Sequence, residues 1–149
     1  MRHAQASFNA ASDRDRAITD LGARQTKELL EKNTDNLSAV RTIWSSDLLR
    51  AKQTAKIAAD LLNLSVNEKT FLSPDGDPRK VLAELDKLDS DETLLMVSHQ
   101  PLVGELVSLL VNGNFQKAHP YATSEFLLLD LDMAQPGMAT LVRQYLPAY

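Results

Sequence analysis

The sequence predicts an α/β fold, three layers deep, built on a largely parallel mixed sheet. Strand-like and helix-like segments alternate along most of the 149 residues, as a sheet covered by crossover helices requires. Leu94-Leu95-Met96-Val97 is one unbroken apolar run, which implies burial on both faces, as in the middle of a parallel sheet. Length and a composition of 44% hydrophobic and 24% charged residues fit one domain, residues 1–149, large enough to bury a core.

Residues 1–16 carry Arg2, Arg14 and Arg16 among small polar residues, without glycine or proline, and read as a loop beginning almost at the first residue. Thr19 reads as the N-cap of a helix from about Asp20 to Lys32, ending near Asn33, with Leu21, Leu29 and Leu30 supplying the apolar stripe. Val40 to Trp44 is short, β-branched and aromatic, which suits a buried strand, and Ser45-Ser46 punctuates it. From Asp47 onward Leu48, Leu49, Ala51, Ala55, Ile57, Ala58, Leu61 and Leu62 recur with helical spacing.

Ser65 to Phe71 reads as a second strand and Ser73 to Pro78 as a loop. A helix is expected from Pro78, where proline fits the first turn, to Leu88. Glu92 to Ser98 forms the buried strand, His99-Gln100-Pro101 breaks it, and Leu102 to Val111 reads as helix before Asn112-Gly113. Ser124 to Leu131 and Ala139 to Tyr145 are two further strands, joined by a loop containing Pro136-Gly137. Repeats, linkers and low-complexity stretches are absent from the sequence.

Composition narrows the function classes. Sixteen basic and twenty acidic residues give a net charge of −4, with only eight aromatics, a poor match to nucleic-acid binding. The chain has no cysteine, which excludes disulfides and thiolate chemistry. No apolar run reaches the roughly 18 residues of a membrane helix, and Met1 leads directly into Arg2-His3 without a basic-then-apolar leader. A cytoplasmic protein with neither nucleic-acid nor membrane partners is expected.

Arg2-His3, Arg50 and His99 each fall at or just beyond the carboxyl end of an expected strand, the edge where open α/β sheets bind ligands. His99 follows Met96-Val97-Ser98 and precedes a helix, so its ring faces either the crevice or the next helix start. His119, in Lys117-Ala118-His119-Pro120, reads as a surface loop residue. The three histidines lack metal spacing, with no i, i+4 pair and no His-x-His, so no metal or other cofactor is expected. Arg50 lies near a helix N-terminus behind Ser45-Ser46, a sensible anion site.

Four segments together resemble a known family. Arg2-His3-Ala4-Gln5-Ala6-Ser7-Phe8-Asn9 resembles the Arg-His-Gly signature of the histidine phosphatase (phosphoglycerate-mutase-like) superfamily, with Ala4 in place of the glycine. Thr19 to Gln25, Ser45 to Ala55 and Val97 to Gly104 resemble its next segments, in the family's order across residues 2–104. The whole chain is most similar to the short SixA-type phosphohistidine phosphatases of that superfamily.

The resemblance implies a phosphatase acting on phosphohistidine in a protein, such as a histidine phosphotransfer domain in signal transduction, with inorganic phosphate as product. It makes His3 the nucleophile, Arg2 and Arg50 the grip on the phosphoryl oxygens, and His99 a further donor. Arg16 and Asn9 become neighbours of the phosphate pocket, although Arg16 lies among Asp13, Asp15 and Asp20 and equally suits a solvated ion pair. Two arginines beside His3 would hold it neutral at pH 7, and this set needs no metal.

Phosphomonoesterase branches place an acidic glutamate after the third strand. Here Thr70 to Asp77 holds none, and Asp75 and Asp77 are the stand-ins, in a sequence that is first of all a turn. An absent acid matters less for a P–N bond, because the leaving imidazole is readily protonated. The short stretch between Ser65 and Glu92 leaves no room for lid insertions, which suits a phosphorylated side chain on a protein surface. Two alternatives remain at this stage: a small-molecule phosphomonoesterase using Asp75 or Asp77, and a non-catalytic phospholigand-binding module.

Family members also carry an apolar strand just before Arg-His, in the middle of the sheet between the second-histidine strand and the next one. Only Met1 precedes Arg2 here, so the first strand is expected to be truncated. Unpaired buried edge groups each cost about 1–3 kcal/mol, and about five further apolar residues upstream of Met1 are expected in the natural chain.

Overall fold

The structure, a computed structural model, describes residues 1–148. Its elements run α1 (Asp20–Lys32), α2 (Thr34–Leu37), β1 (Thr42–Ser45), α3 (Leu49–Leu62), β2 (Val66–Glu68), α4 (Pro78–Leu85), β3 (Leu94–Val97), α5 (Leu102–Asn112), β4 (Phe126–Leu131) and β5 (Ala139–Tyr145). Single 3-10 turns lie at Asp13–Asp15 and Thr70–Leu72. The parallel sheet has the order β2-β1-β3, and β4 and β5 form an antiparallel pair.

Strand alternation sorts the core into two faces. Ile43, Leu95 and Val97 pack with Leu29 and Leu30 of α1 and with Ala51, Ala55, Ala58 and Ala59 of α3. Trp44, Leu94 and Met96 point the other way, onto Val81 and Leu82 of α4 and Leu102, Leu106, Leu109 and Leu110 of α5. Two helices on each side of the strands give the expected three layers. Alanines on α3 let its axis approach the sheet closely, which brings the first turn of α3, and Arg50 with it, over the carboxyl end of β1.

Met1–His3 lies between β3 and the start of β4. The Met1 nitrogen donates to the Met96 carbonyl at 2.8 Å, and the Ser98 N–H donates to the Met1 carbonyl at 3.0 Å. On the other side the Arg2 N–H donates to the Glu125 carbonyl at 3.0 Å, and the Ser124 N–H to the His3 carbonyl at 3.1 Å. These bonds tie the two sheets together at their functional edge. Farther back, an apolar cavity of about 100 Å³ lies beside Met1, lined by residues that include Leu95, Leu127, Leu129 and Tyr121.

Several expectations need correction. Leu21 is exposed, because the buried face of α1 is Gly22, Gln25, Thr26, Leu29 and Leu30, and a residue one position earlier is rotated about 100° away. Strand β2 stops at Glu68: the Lys69 N–H makes the last bond to Ser45, and Phe71 turns edge-on against Trp44. Helix α4 ends at Leu85 rather than Leu88, and the chain makes the unexpected turn α2 directly after α1.

Candidate active site

The pocket is assembled from the Met1–His3 segment, which bridges to Ser98, and the carboxyl ends of β1 and β3. His3 is held by its backbone, donating to the Ser98 carbonyl at 2.9 Å and accepting from Ser124. Its ring Nδ1 lies 2.7 Å from the Ala4 carbonyl oxygen. A carbonyl can only accept, so Nδ1 carries the proton and Nε2 is left unprotonated, able to accept. Burial pushes the His3 pKa down to about 4; the Ala4 bond opposes this, and the charges of Arg50, Arg2 and Arg16 reinforce it. At neutral pH the ring is uncharged.

Ala4 is fixed in turn. Its N–H donates to the Thr54 hydroxyl at 2.9 Å, and that hydroxyl donates to the Arg50 carbonyl at 2.7 Å. Thr54 therefore couples the His3 loop to helix α3 one turn beyond Arg50.

Arg50 is buried, and its Nε–H points at His3 Nε2 across 3.4 Å. Both remaining nitrogens are held by Asp13, Nη1 donating to its carbonyl at 2.7 Å and Nη2 to its carboxylate at 3.2 Å. Against a partial desolvation that pushes upward, Arg16 and Arg50 hold the Asp13 carboxyl below the usual carboxylate range. Asp13 thus orients the guanidinium so that Nε faces the histidine.

His99 is almost wholly buried, its ring 5.0 Å from that of His3. Nε2 lies 2.7 Å from the Ser46 hydroxyl, while Nδ1 is buried without a partner. Burial, then the neighbouring His3 and Arg50, push its pKa down to about 3. Arg2 donates from Nη1 to the Tyr121 carbonyl at 2.7 Å, and its charge lowers the pKa of both histidines.

Arg2, His3, Arg50 and His99 are therefore gathered in one place. Arg16 borders it: it donates to the Ser7 carbonyl at 2.9 Å and to Asp13 at 3.3 Å, lies 4.0 Å above the Phe8 ring, and its charge acts on His3. Asn9 is exposed, and its N–H bonds the Ser7 hydroxyl. Asp75 accepts from the Ser73 hydroxyl and Asp77 caps α4 through the Arg79 N–H; both carboxylates serve the turn that their sequence suggested.

His119 lies in a loop, as expected, but is half-buried and paired rather than open to solvent. Its Nε2 lies 2.5 Å from Glu125, a buried carboxylate that also accepts from the Ala122 N–H and the Gln144 amide. Asp13, Ser46 and Thr54 are the site residues that the sequence did not single out by role. Ser46 and Thr54 were visible only as members of the segment around Arg50, and Asp13 as one acid among several near Arg16.

A neutral imidazole with an unprotonated Nε2, walled by permanently charged arginines and a second histidine, suits a tetrahedral oxyanion. Among the described residues no cluster of three His, Asp or Glu side chains could hold a metal ion. Fold and pocket together define a phosphate-handling α/β protein.

Comparison with known proteins fixes the family. The Histidine phosphatase superfamily (branch 1) matches residues 1–73. The phosphohistidine phosphatase SixA of Escherichia coli K12 is 32% identical over 141 residues, covering 92% of this chain and 86% of that protein. A SixA homologue of Haemophilus influenzae is 30% identical over 121 residues, covering 74% of each chain. The solved structure of the protein histidine phosphatase SixA complexed with tungstate superposes with a TM-score of 0.87 at 32% identity, covering 97% of this chain and 93% of that one. The chain belongs to the histidine phosphatase superfamily.

Proposed function

We propose that this protein is a metal-independent phosphohistidine phosphatase that removes the phosphoryl group from a histidine of a partner protein. The bond from His3 Nδ1 to the Ala4 carbonyl, which leaves Nε2 unprotonated beside Arg50, carries the reading.

In the first step the His3 Nε2 lone pair forms a bond to phosphorus. The P–N bond of the substrate breaks, its electron pair returns to the substrate ring nitrogen, and a substrate ring protonated on its other nitrogen leaves as neutral imidazole. Arg50 Nε–H, Arg2 and His99 stabilise the three equatorial oxygens, and the reaction needs little beyond positioning and charge. In the second step water attacks phosphorus, the P–Nε2 pair returns to His3, and the water protons leave with dihydrogen phosphate. The net reaction converts protonated phosphohistidine and water to histidine and dihydrogen phosphate.

Neither Asp75 nor Asp77 is required, since the leaving group carries its own proton. This favours a phosphoamidate over a small phosphomonoester, and it agrees with the named activity of the similar SixA proteins. The tungstate in the SixA complex is a tetrahedral oxyanion of the kind this pocket suits. Arg16 and Asn9 form the rim on the partner's side. A histidine phosphotransfer domain is the kind of partner proposed, and no helix among the described residues is long and apolar enough to cross a membrane.

The test is turnover of a panel of phosphohistidine proteins and aryl phosphates, with His3→Ala as control and ³²P trapping on the wild type. Label on His3 and a preference for the phosphohistidine proteins are expected. Activity retained in His3→Ala would overturn the mechanism, and a preference for aryl phosphates would move the assignment to a phosphomonoesterase. Anion binding without any turnover would leave a phospholigand-binding module.

A further inference from the structure

We infer that Ser46 is a positioning residue: its hydroxyl donates to His99 Nε2 and thereby keeps the single ring proton on Nδ1, ready for a phosphoryl oxygen. The inference deepens the proposed function and rests on it for the identity of the anion.

The hydrogen-bond inventory around Ser46 fixes the direction. Ser46 is fully buried, its backbone N–H donates to Val97, and its hydroxyl oxygen accepts from the Leu48 N–H at 3.2 Å. The hydroxyl proton then needs an acceptor, and the one the structure gives it is His99 Nε2 at 2.7 Å. The reverse arrangement, with Nε2–H donating to Ser46, would strand two buried polar groups. The hydroxyl proton would lose its acceptor, and the Nδ1 lone pair, already without a partner, would have no donor. With Ser46 donating, only the Nδ1–H is unsatisfied, and a phosphoryl oxygen satisfies it.

Charge points the same way. A doubly protonated His99 would donate from both nitrogens, but burial and the neighbouring cations oppose it. A neutral ring has one proton to offer, and with Nε2 turned to Ser46, Nδ1 is the nitrogen that can reach the substrate. A bare Nδ1 would face the phosphoryl group lone pair to lone pair. One hydroxyl thus separates a donor from a repulsive acceptor at the same position.

The experiment reads the tautomer directly. Long-range ¹H–¹⁵N spectra of ¹⁵N-histidine-labelled, ligand-free protein at pH 7 are expected to show His99 Nδ1 in the protonated range and Nε2 in the unprotonated range. Ser46→Ala should scramble or reverse this pattern and lower kcat about ten-fold, the worth of one oriented hydrogen bond. Ser46→Thr, which keeps the hydroxyl, should restore both. An Nε2–H tautomer in the wild type overturns the inference, and so does an Ser46→Ala protein that keeps the Nδ1–H pattern and full kcat. If Ser46→Ala does not fold, the wild-type tautomer alone decides. Because that readout needs no substrate, an Nδ1–H ring in a protein without phosphohistidine turnover would count against the proposed function and leave the role of Ser46 standing.

Discussion

Acid should unfold this protein through the two histidines of the candidate site. His3 and His99 are held neutral in the fold, with pKa values pushed from 6.5 down to about 4 and about 3. The unfolded chain binds a proton at each of them below about pH 6.5, whereas the folded protein does not. Their contribution to stability is therefore complete above pH 6.5 and is lost as pH falls toward the folded values. Each costs about 1.4 kcal/mol per pH unit in that window, so 1.5 units, from pH 6.5 to 5, remove about 2 kcal/mol per histidine and about 4 for the pair. That is a large share of the 5–15 kcal/mol typical of a domain. Carboxylates contribute little above pH 5, because their unfolded values lie near 4. Urea unfolding at constant ionic strength from pH 7.5 to 5, on wild type and on His3→Asn and His99→Asn, isolates the effect. Slopes that other groups produce are common to all three proteins and cancel in the differences. Each substitution should reduce the slope between pH 6 and 5 by about 1.4 kcal/mol per unit. Equal slopes would mean that the histidines are protonated in the fold, and the neutral nucleophile would fall with them.

Other variants probe single contacts. Arg50→Lys keeps the charge but loses the fork shared between His3 and Asp13, and kcat/KM should drop about 10²–10³-fold in steady-state assays; a loss below three-fold would show that a point charge suffices. Gly22→Ala would place a Cβ 2.5 Å from the Gln5 carbonyl oxygen, so thermal melts should show about 1–3 kcal/mol of destabilisation, and an unchanged Tm would contradict that close approach. His119→Ala removes one of three donors to buried Glu125 and should cost about 1–3 kcal/mol in urea unfolding with turnover nearly unchanged; a ten-fold fall in kcat would bring His119 into the chemistry. Activity should survive excess chelator, since the described residues offer no metal cluster, and a reproducible requirement for a divalent metal would overturn the arginine–histidine account.

Local signals were legible in the sequence. Thr19 caps α1, accepting from the Gly22 N–H at 3.0 Å, and α1 spans Asp20–Lys32 as its spacing predicts. Ala139–Tyr145 is a strand as read, and Leu94–Val97 is sandwiched between the two helical layers. Arg2, His3, Arg50 and His99 could be collected because their four segments come in the family's order. Contacts between distant segments could not be read in this way. Asp13 reaches Arg50 across 37 positions and Ser46 reaches His99 across 53, and neither spacing has a period that a sequence displays. The same holds for β2, whose length is set by where Phe71 meets Trp44 rather than by its own β propensity.

Asp13 gives Arg50 a counterion of its own. Its carboxylate is 61% exposed yet 3.2 Å from the buried guanidinium, so the cation is compensated before any substrate arrives and again as soon as product leaves. In the proposed reaction a phosphoryl group engages Nε while Asp13 keeps the other two guanidinium nitrogens, so the standing carboxylate repels the incoming anion. Like charges about 4 Å apart near a protein surface repel by about 1–4 kcal/mol, which works against the pocket's hold on free phosphate. In the proposed phosphatase that repulsion acts as a filter, by which the pocket resists clogging by its own product.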